Sequence, residues 1–220
     1  MNVIRMKDYH TYIFDLDGTL LDTLGDLTAA VNHALGAHQM PLRTIDEVRA
    51  FVGNGVRLLM ERAVPASTGA EEFERVFASF RSYYMEHSLD TTRPYRGIPE
   101  LLRELKRRGK RMAVVSNKMM AATKELVAHF FPEVEVAIGE NEKEGIRKKP
   151  APDTVEAALR ELGVGKEDAV YVGDSDVDLA TARNSGLECI SVLWGFRDRQ
   201  YLTANGARIF VSNPLEIVAT

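Results

Sequence analysis

The stretch Tyr12-Ile13-Phe14-Asp15-Leu16-Asp17-Gly18-Thr19 is a short apolar run that stops at two carboxylates and a glycine. Runs of this kind recur downstream. Met112-Ala113-Val114-Val115 stops at Ser116, and Ala169-Val170-Tyr171-Val172 stops at Gly173-Asp174. Residues 188–193 form a fourth run and residues 134–138 a fifth. Brief apolar runs separated by helical stretches read as parallel strands buried on both faces. The stretches between them have helical signals. Residues 98–108 carry Leu101, Leu102 and Leu105 on one side, with Gly109 as a stop. Residues 152–162 open on Pro152 and Asp153 and end before Gly163, the usual asymmetry of helix termini. Residues 176–185 end before Gly186. The expected fold is therefore α/β, a Rossmann-like three-layer core with a parallel sheet and helices on both faces.

Residues 22–92 interrupt this alternation. Residues 22–40 are helical in pattern, with Leu27, Val31, Ala34 and Leu35 on one side. Thr44-Ile45-Asp46-Glu47 reads as a capping box that opens another helix. Residues 56–64 and 71–89 supply two more. The pattern predicts a catalytic core from residues 1–21 and 93–220, with an inserted α-helical cap over 22–92.

The 220 residues carry 45% hydrophobic side chains, enough for a sizeable core. The formal net charge is -4, so no basic face for nucleic acid is expected. No run approaches the ~20 apolar residues of a membrane span. The start, residues 1–11, mixes charges with apolar residues and does not read as a signal peptide. Cys189 is the only cysteine, which rules out an intramolecular disulfide and fits a reducing, cytoplasmic setting. A small phosphorylated metabolite is the expected partner, to a monomer or a homodimer.

In an open α/β sheet, ligands bind beyond the carboxyl ends of the strands. There the sequence places Asp15 and Asp17, then Ser116 and Asn117, then Asp174. One carboxylate of the first pair is suited to attack phosphorus. The other is suited to protonate a leaving oxygen and later to deprotonate water. Asp174 adds negative charge, with Asp178 one turn further on, and such a cluster repels itself unless a cation or protons intervene. Carboxylates and carbonyls are hard oxygen ligands, and magnesium is the expected cation beside a phosphate. Lys149 is suited to neutralise the phosphate and the nucleophile, and Ser116 to donate to a phosphate oxygen.

Taken in order, Asp15-Leu-Asp-Gly-Thr-Leu-Leu-Asp22, Ser116-Asn117, Lys149-Pro150 and Gly173-Asp174-Ser-Asp-Val-Asp178 resemble the four motifs of the haloacid dehalogenase superfamily. An inserted helical cap after the first motif is also a trait of that family. The resemblance implies Asp15 as nucleophile and metal ligand. It implies Asp17 as acid/base, binding metal through its main-chain oxygen, and Asp174 as the third ligand. Ser116, Asn117 and Lys149 would hold the phosphoryl group. Phe51-Val-Gly-Asn-Gly-Val56 and Trp194-Gly195-Phe196-Arg197 resemble segments of phosphoglycolate phosphatases, which implies 2-phosphoglycolate as substrate. An inorganic pyrophosphatase or a broad sugar-phosphate phosphatase is the alternative. Dehalogenases and phosphonatases of the superfamily lack the second aspartate, which is present here as Asp17. Phosphonatases also use a cap lysine, and residues 23–92 contain none. A receiver domain would need neither Asp17 nor a cap, and a non-catalytic phosphoacceptor or binding protein is a remote reading.

The turn Gly53-Asn54-Gly55 precedes a helix N-terminus, where free N–H groups suit a substrate carboxylate. Arg57 in the first turn is expected to add charge, and the cap to close over a small dianionic ester. Asp178 is expected to act on the metal through water or hydrogen bonds. The five histidines have no metal-ligand spacing. Cys189 is expected to be an inert buried thiol, and Trp194 a packing residue or loop anchor.

Overall fold

The computed structural model describes residues 7–219; the first part of the N-terminal segment read above lies outside them. The described chain divides into two compact units. One runs to Leu20 and resumes at Pro94; the other is Leu21–Arg93.

The first unit is built on a six-stranded sheet. Its strands are β1 (Thr11–Phe14), β4 (Arg111–Met119), β5 (Val136–Glu140), β6 (Ala169–Gly173), β7 (Glu188–Val192) and β8 (Ile209–Val211), in the order β5-β4-β1-β6-β7-β8. Every neighbouring pair is parallel. Strand β1 lies between β4 and β6, and all four of its residues are buried. That is why Tyr12-Ile13-Phe14 is apolar without alternation. The register fixes the site. Phe14 stands opposite both Val114 and Val172, so three strands reach their carboxyl ends together and deliver Asp15, Ser116 and Asp174 to one edge.

Helices α5 (Ile98–Arg107), α6 (Met120–Phe130), α7 (Asp153–Leu162), α8 (Asp176–Ser185) and α9 (Arg199–Ala204) complete this unit. One face of the sheet presents Ile13, Ala113, Val115, Ile138 and Tyr171 to Val155 and Ala158 of α7. Gly163 and Gly186 end α7 and α8 in the left-handed conformation, as their positions in the sequence predict. The strand expected over 134–138 runs over Val136–Glu140. Strand β4 continues past Ser116 to Met119, with its pairing to β5 irregular between Val115 and Met119. Helices α6 and α9 and strand β8 add to the elements read from the sequence.

The second unit contains α1 (Leu24–Ala37), α2 (Ile45–Phe51), α3 (Val56–Ala63) and α4 (Ala70–His87). Helix α1 buries Leu27, Ala30, Val31, Ala34 and Leu35, a stripe at helical spacing. On α4, Phe73, Phe77, Phe80 and Tyr84 form a stacked row with ring centroids 5.9, 6.3 and 5.6 Å apart. The capping box at Thr44 and Glu47 is present in both directions. Strands β2 (Leu21–Asp22) and β3 (Arg93–Pro94) pair where the chain leaves and returns. Buried Asp26 secures that return. Its carboxylate accepts from the Thr91 and Thr92 amides, each at 2.9 Å, and from the Thr91 hydroxyl at 2.6 Å.

Candidate active site

Asp15 follows β1 directly, and its amide still donates to Val172 of β6 at 2.9 Å. The turn beyond it depends on Gly18, which has φ 86. A Cβ at Gly18 or at Gly195 would collide with the Asp174 carboxylate, so both loops approach Asp174 only as glycine. Trp194 anchors the arrangement by donating from Nε1 to the Thr19 carbonyl at 2.9 Å. The Phe196 amide donates to Asp174 Oδ2 at 2.6 Å.

Four side chains converge here. Lys149 Nζ, buried, donates to Asp15 Oδ1 at 2.5 Å, to Asp178 Oδ1 at 2.8 Å and to the Tyr171 hydroxyl at 3.1 Å. The Tyr171 hydroxyl donates in turn to Asp178 Oδ1 at 2.9 Å. Asp178 Oδ2 accepts from the Asp174 and Ser175 amides, at 3.2 and 3.1 Å, and from the Ser175 hydroxyl at 2.6 Å. Five donors thus meet the two oxygens of Asp178, which more than fills the roughly four lone-pair sites of a carboxylate. Its bonds orient Lys149 and cap α8 together.

The electrostatics follow from three carboxylates sharing one ammonium in a dry place. Burial pushes the Asp15 carboxyl up to about 7; Asp178 adds to the rise and Lys149 opposes it. Burial also lifts Asp174 well above the ordinary carboxylate range, with Asp178 and Asp15 contributing. Burial alone would lower Lys149, but Asp15 and Asp178 outweigh it and hold the ammonium firmly protonated. The cluster has an excess of negative charge that one lysine does not balance. Oxygens of Asp15, Asp174 and Asp178 lie within 4.8 Å of one another, so the cluster is able to hold a metal ion.

Asp17 has a different neighbour. Lys118 Nζ stands 3.0 Å from Asp17 Oδ1, and that lysine side chain is only 9% exposed. Ser116 is buried and its hydroxyl accepts from the Lys118 amide at 3.1 Å. Asn117 Oδ1 accepts from the Lys149 amide at 2.6 Å, and Asn117 Nδ2 donates to the Lys149 carbonyl at 3.2 Å. Its side-chain amide is therefore engaged with the Lys149 loop on both sides.

Gly53, Asn54, Gly55 and Arg57 belong to the helical unit. Gly55 heads α3. Arg57 is an ion-pair partner of Glu74 and of Glu61, and its guanidinium lies over Phe73, 5.1 Å from the ring centroid. Its guanidinium thus has acidic partners on both α3 and α4. Cys189 is partly exposed rather than buried; desolvation of its thiol nevertheless raises its pKa.

Three participants were not singled out by sequence reading. Lys118 is two residues beyond Ser116 on the same strand, a spacing that sends side chains to one side, and that was the available signal. Tyr171 read as core. Phe196 acts through its main chain, which sequence does not display.

Comparison with known proteins places the chain. Residues 12–192 match the profile of the haloacid dehalogenase-like hydrolases. Phosphoglycolate phosphatase 1 of Pseudomonas aeruginosa is 33% identical over 213 residues, 91% of this chain and 75% of the relative. N-acetylmuramic acid 6-phosphate phosphatase of the same organism is 30% identical, over 99% of this chain and 96% of the relative. A crystal structure from Lactobacillus delbrueckii subsp. bulgaricus, provisionally a phosphoglycolate phosphatase, superposes with a TM-score of 0.90. It is 36% identical and covers 96% of this chain and 98% of its own. The chain belongs to the haloacid dehalogenase-like hydrolases, and within them it is an enzyme similar to the phosphoglycolate phosphatases.

Proposed function

We propose that this hydrolase cleaves a small phosphate monoester through a phosphoaspartate on Asp15, with 2-phosphoglycolate as a preferred substrate. The observation that carries the reading is Asp15 itself, buried at the carboxyl end of the central strand and bonded to Lys149 at 2.5 Å. A carboxylate so placed is held in one rotamer, facing the edge where ligands of α/β sheets dock.

In the first step an Asp15 oxygen attacks phosphorus, the ester P–O bond breaks, and Asp17 gives its proton to the leaving oxygen. In the second step Asp17 takes a proton from water, which attacks phosphorus. The bond to Asp15 breaks and phosphate is released. Lys149 offsets the charge of the phosphoryl group. The Ser116 hydroxyl accepts from the Lys118 amide and so can aim its own proton at a phosphoryl oxygen. Asn117 keeps the Lys149 loop in place. The donor set is all oxygen, which fits magnesium. Asp15, Asp174 and the Asp17 carbonyl would hold it. When bound, it draws negative charge from the phosphate. Asp178 supports the site through Lys149 and the two amides.

Asp17→Asn is expected to lower kcat on alkyl phosphates by about 10²–10⁴-fold, the usual worth of acid–base help. Steady-state kinetics of the purified variant check this; a loss under about threefold would give Asp17 some other role.

The relatives favour phosphoglycolate, and one of them favours a second reading, a phosphorylated sugar acid such as N-acetylmuramic acid 6-phosphate. Phosphate release from both, from pyrophosphate, from a hexose phosphate and from a nucleotide separates these readings. The expected result is the highest kcat/KM on 2-phosphoglycolate. A wild-type enzyme that ignores it and cleaves pyrophosphate or the sugar acid would overturn the substrate and leave the Asp15 chemistry standing.

A further inference from the structure

The two aspartates of the first motif each face a different lysine, Lys149 buried and Lys118 with its side chain largely withdrawn from solvent. Lys149 meets Asp15, and Lys118 meets Asp17. The first pair is on the phosphoryl side of the reaction, because Asp15 is the nucleophile. The second is on the leaving-group side, because Asp17 protonates the departing oxygen. A general acid must come within hydrogen-bond reach of that oxygen. In a glycolate leaving group the carboxylate oxygens lie about 2.7–3.6 Å from the ester oxygen, by ordinary bond lengths. A lysine 3.0 Å from the acid is therefore within reach of that carboxylate.

The helical unit offers little competition for this task. It has no lysine from residue 23 to 92. Arg43, Arg49, Arg57 and Arg75 are each paired with a glutamate or aspartate of the same unit. Arg81 lies over Phe77 at 5.2 Å. The Lys118 side chain is only 9% exposed, and a cation largely withdrawn from water interacts more strongly with an incoming anion than a fully solvated one does.

We infer that Lys118 recognises the leaving group, selecting phosphate monoesters with an anionic group next to the ester oxygen, as in 2-phosphoglycolate, over neutral alkyl phosphates. This rests on the function proposed above. It also makes the core strand β4, rather than Arg57, the source of the cation for the substrate's second charge.

The test compares 2-phosphoglycolate with ethyl phosphate, which has a similar alkoxide leaving group and no carboxylate. Lys118→Met and Lys118→Gln are assayed beside wild type, with circular dichroism and thermal melting as checks of folding. Loss of a charge-assisted contact is expected to lower kcat/KM on 2-phosphoglycolate by on the order of 10–100-fold more than on ethyl phosphate. The change should appear chiefly in KM, and Lys118→Arg should keep most of the preference. Equal losses on the two esters, or no loss on either, would overturn the inference. A wild-type enzyme with no preference for 2-phosphoglycolate over ethyl phosphate would instead sink the substrate reading itself. A preference that survives in both neutral variants would sink only the role of Lys118.

Discussion

Asp15→Asn will leave a folded protein with no measurable phosphate release on any monoester. The variant keeps the size and planarity of the side chain, so β1 and its pairing to β4 and β6 have no reason to move. What it loses is the anion that attacks phosphorus. An amide oxygen is a poor nucleophile and would not form the acyl phosphate, so neither step can begin. The loss should exceed that of Asp17→Asn, because the acid assists the reaction whereas the nucleophile is consumed and regenerated in it. Brief incubation of wild type with a labelled substrate, followed by acid quench, should leave label on the protein, and on Asp15→Asn none. The variant should also be the more stable protein when no divalent cation is present. Burial, Asp178 and Asp17 all disfavour the Asp15 charge, and substitution removes that charge while keeping an oxygen for Lys149. A variant that turns over near normally, or still takes up label, would end the phosphoaspartate mechanism.

The parts of this molecule legible in its sequence are those with local causes. Strand β1 shows because its four residues are buried on both faces, which removes the polar alternation. Helix ends show where side-chain or glycine chemistry fixes them, as at Thr44 with Glu47, Gly163 and Gly186. Helix α6 follows Met119, which has no side-chain capping bond, so nothing local marks its start. The site divides the same way. Asp15, Asp17 and Asp174 stand at strand ends, and their residue types announce the chemistry. Tyr171 is hidden because an aromatic residue in a buried strand reads as core, and only the fold brings its hydroxyl to Lys149 and Asp178. Arg57 shows what local sequence leaves out. Its place in the first turn of α3 suggests an anion site, and Glu74, seventeen residues on, pairs with it through the packing of α3 on α4. Asp178 carries two signals at one position. Four residues after Asp174 it suggested a metal site, while Ser175 three residues before it made it half of a capping box. The structure satisfies the second completely and joins it to Lys149.

Removal of divalent cations should abolish turnover, and it should also change how stability depends on pH. Asp15 has its carboxyl pushed up to about 7 from an ordinary 3.8, and Asp174 is raised in the same direction. A raised carboxyl means that the unfolded chain gives up its proton first as pH rises. Between about pH 4 and 7 the unfolded state therefore binds fewer protons, and stability falls with rising pH. The stability that protonated Asp15 contributes is full below about 4 and is lost as pH climbs through about 7. A cation reverses this penalty because it favours the ionised carboxylates that the metal-free protein resists forming. The melting temperature in magnesium minus that in chelator should be small at pH 5 and grow toward pH 8. A penalty of a few kcal/mol in a chain of this size corresponds to on the order of 5–10 °C. Taking the difference at each pH cancels the titration of surface ion pairs such as Arg111 with Glu135, which do not contact the site. Calorimetry with and without magnesium, beside a chelation and add-back assay of phosphate release, provides both readings. Full activity after exhaustive chelation would remove the metal from the mechanism. A melting difference that stays flat from pH 5 to 8 would mean that the cation does not bind at Asp15 and Asp174.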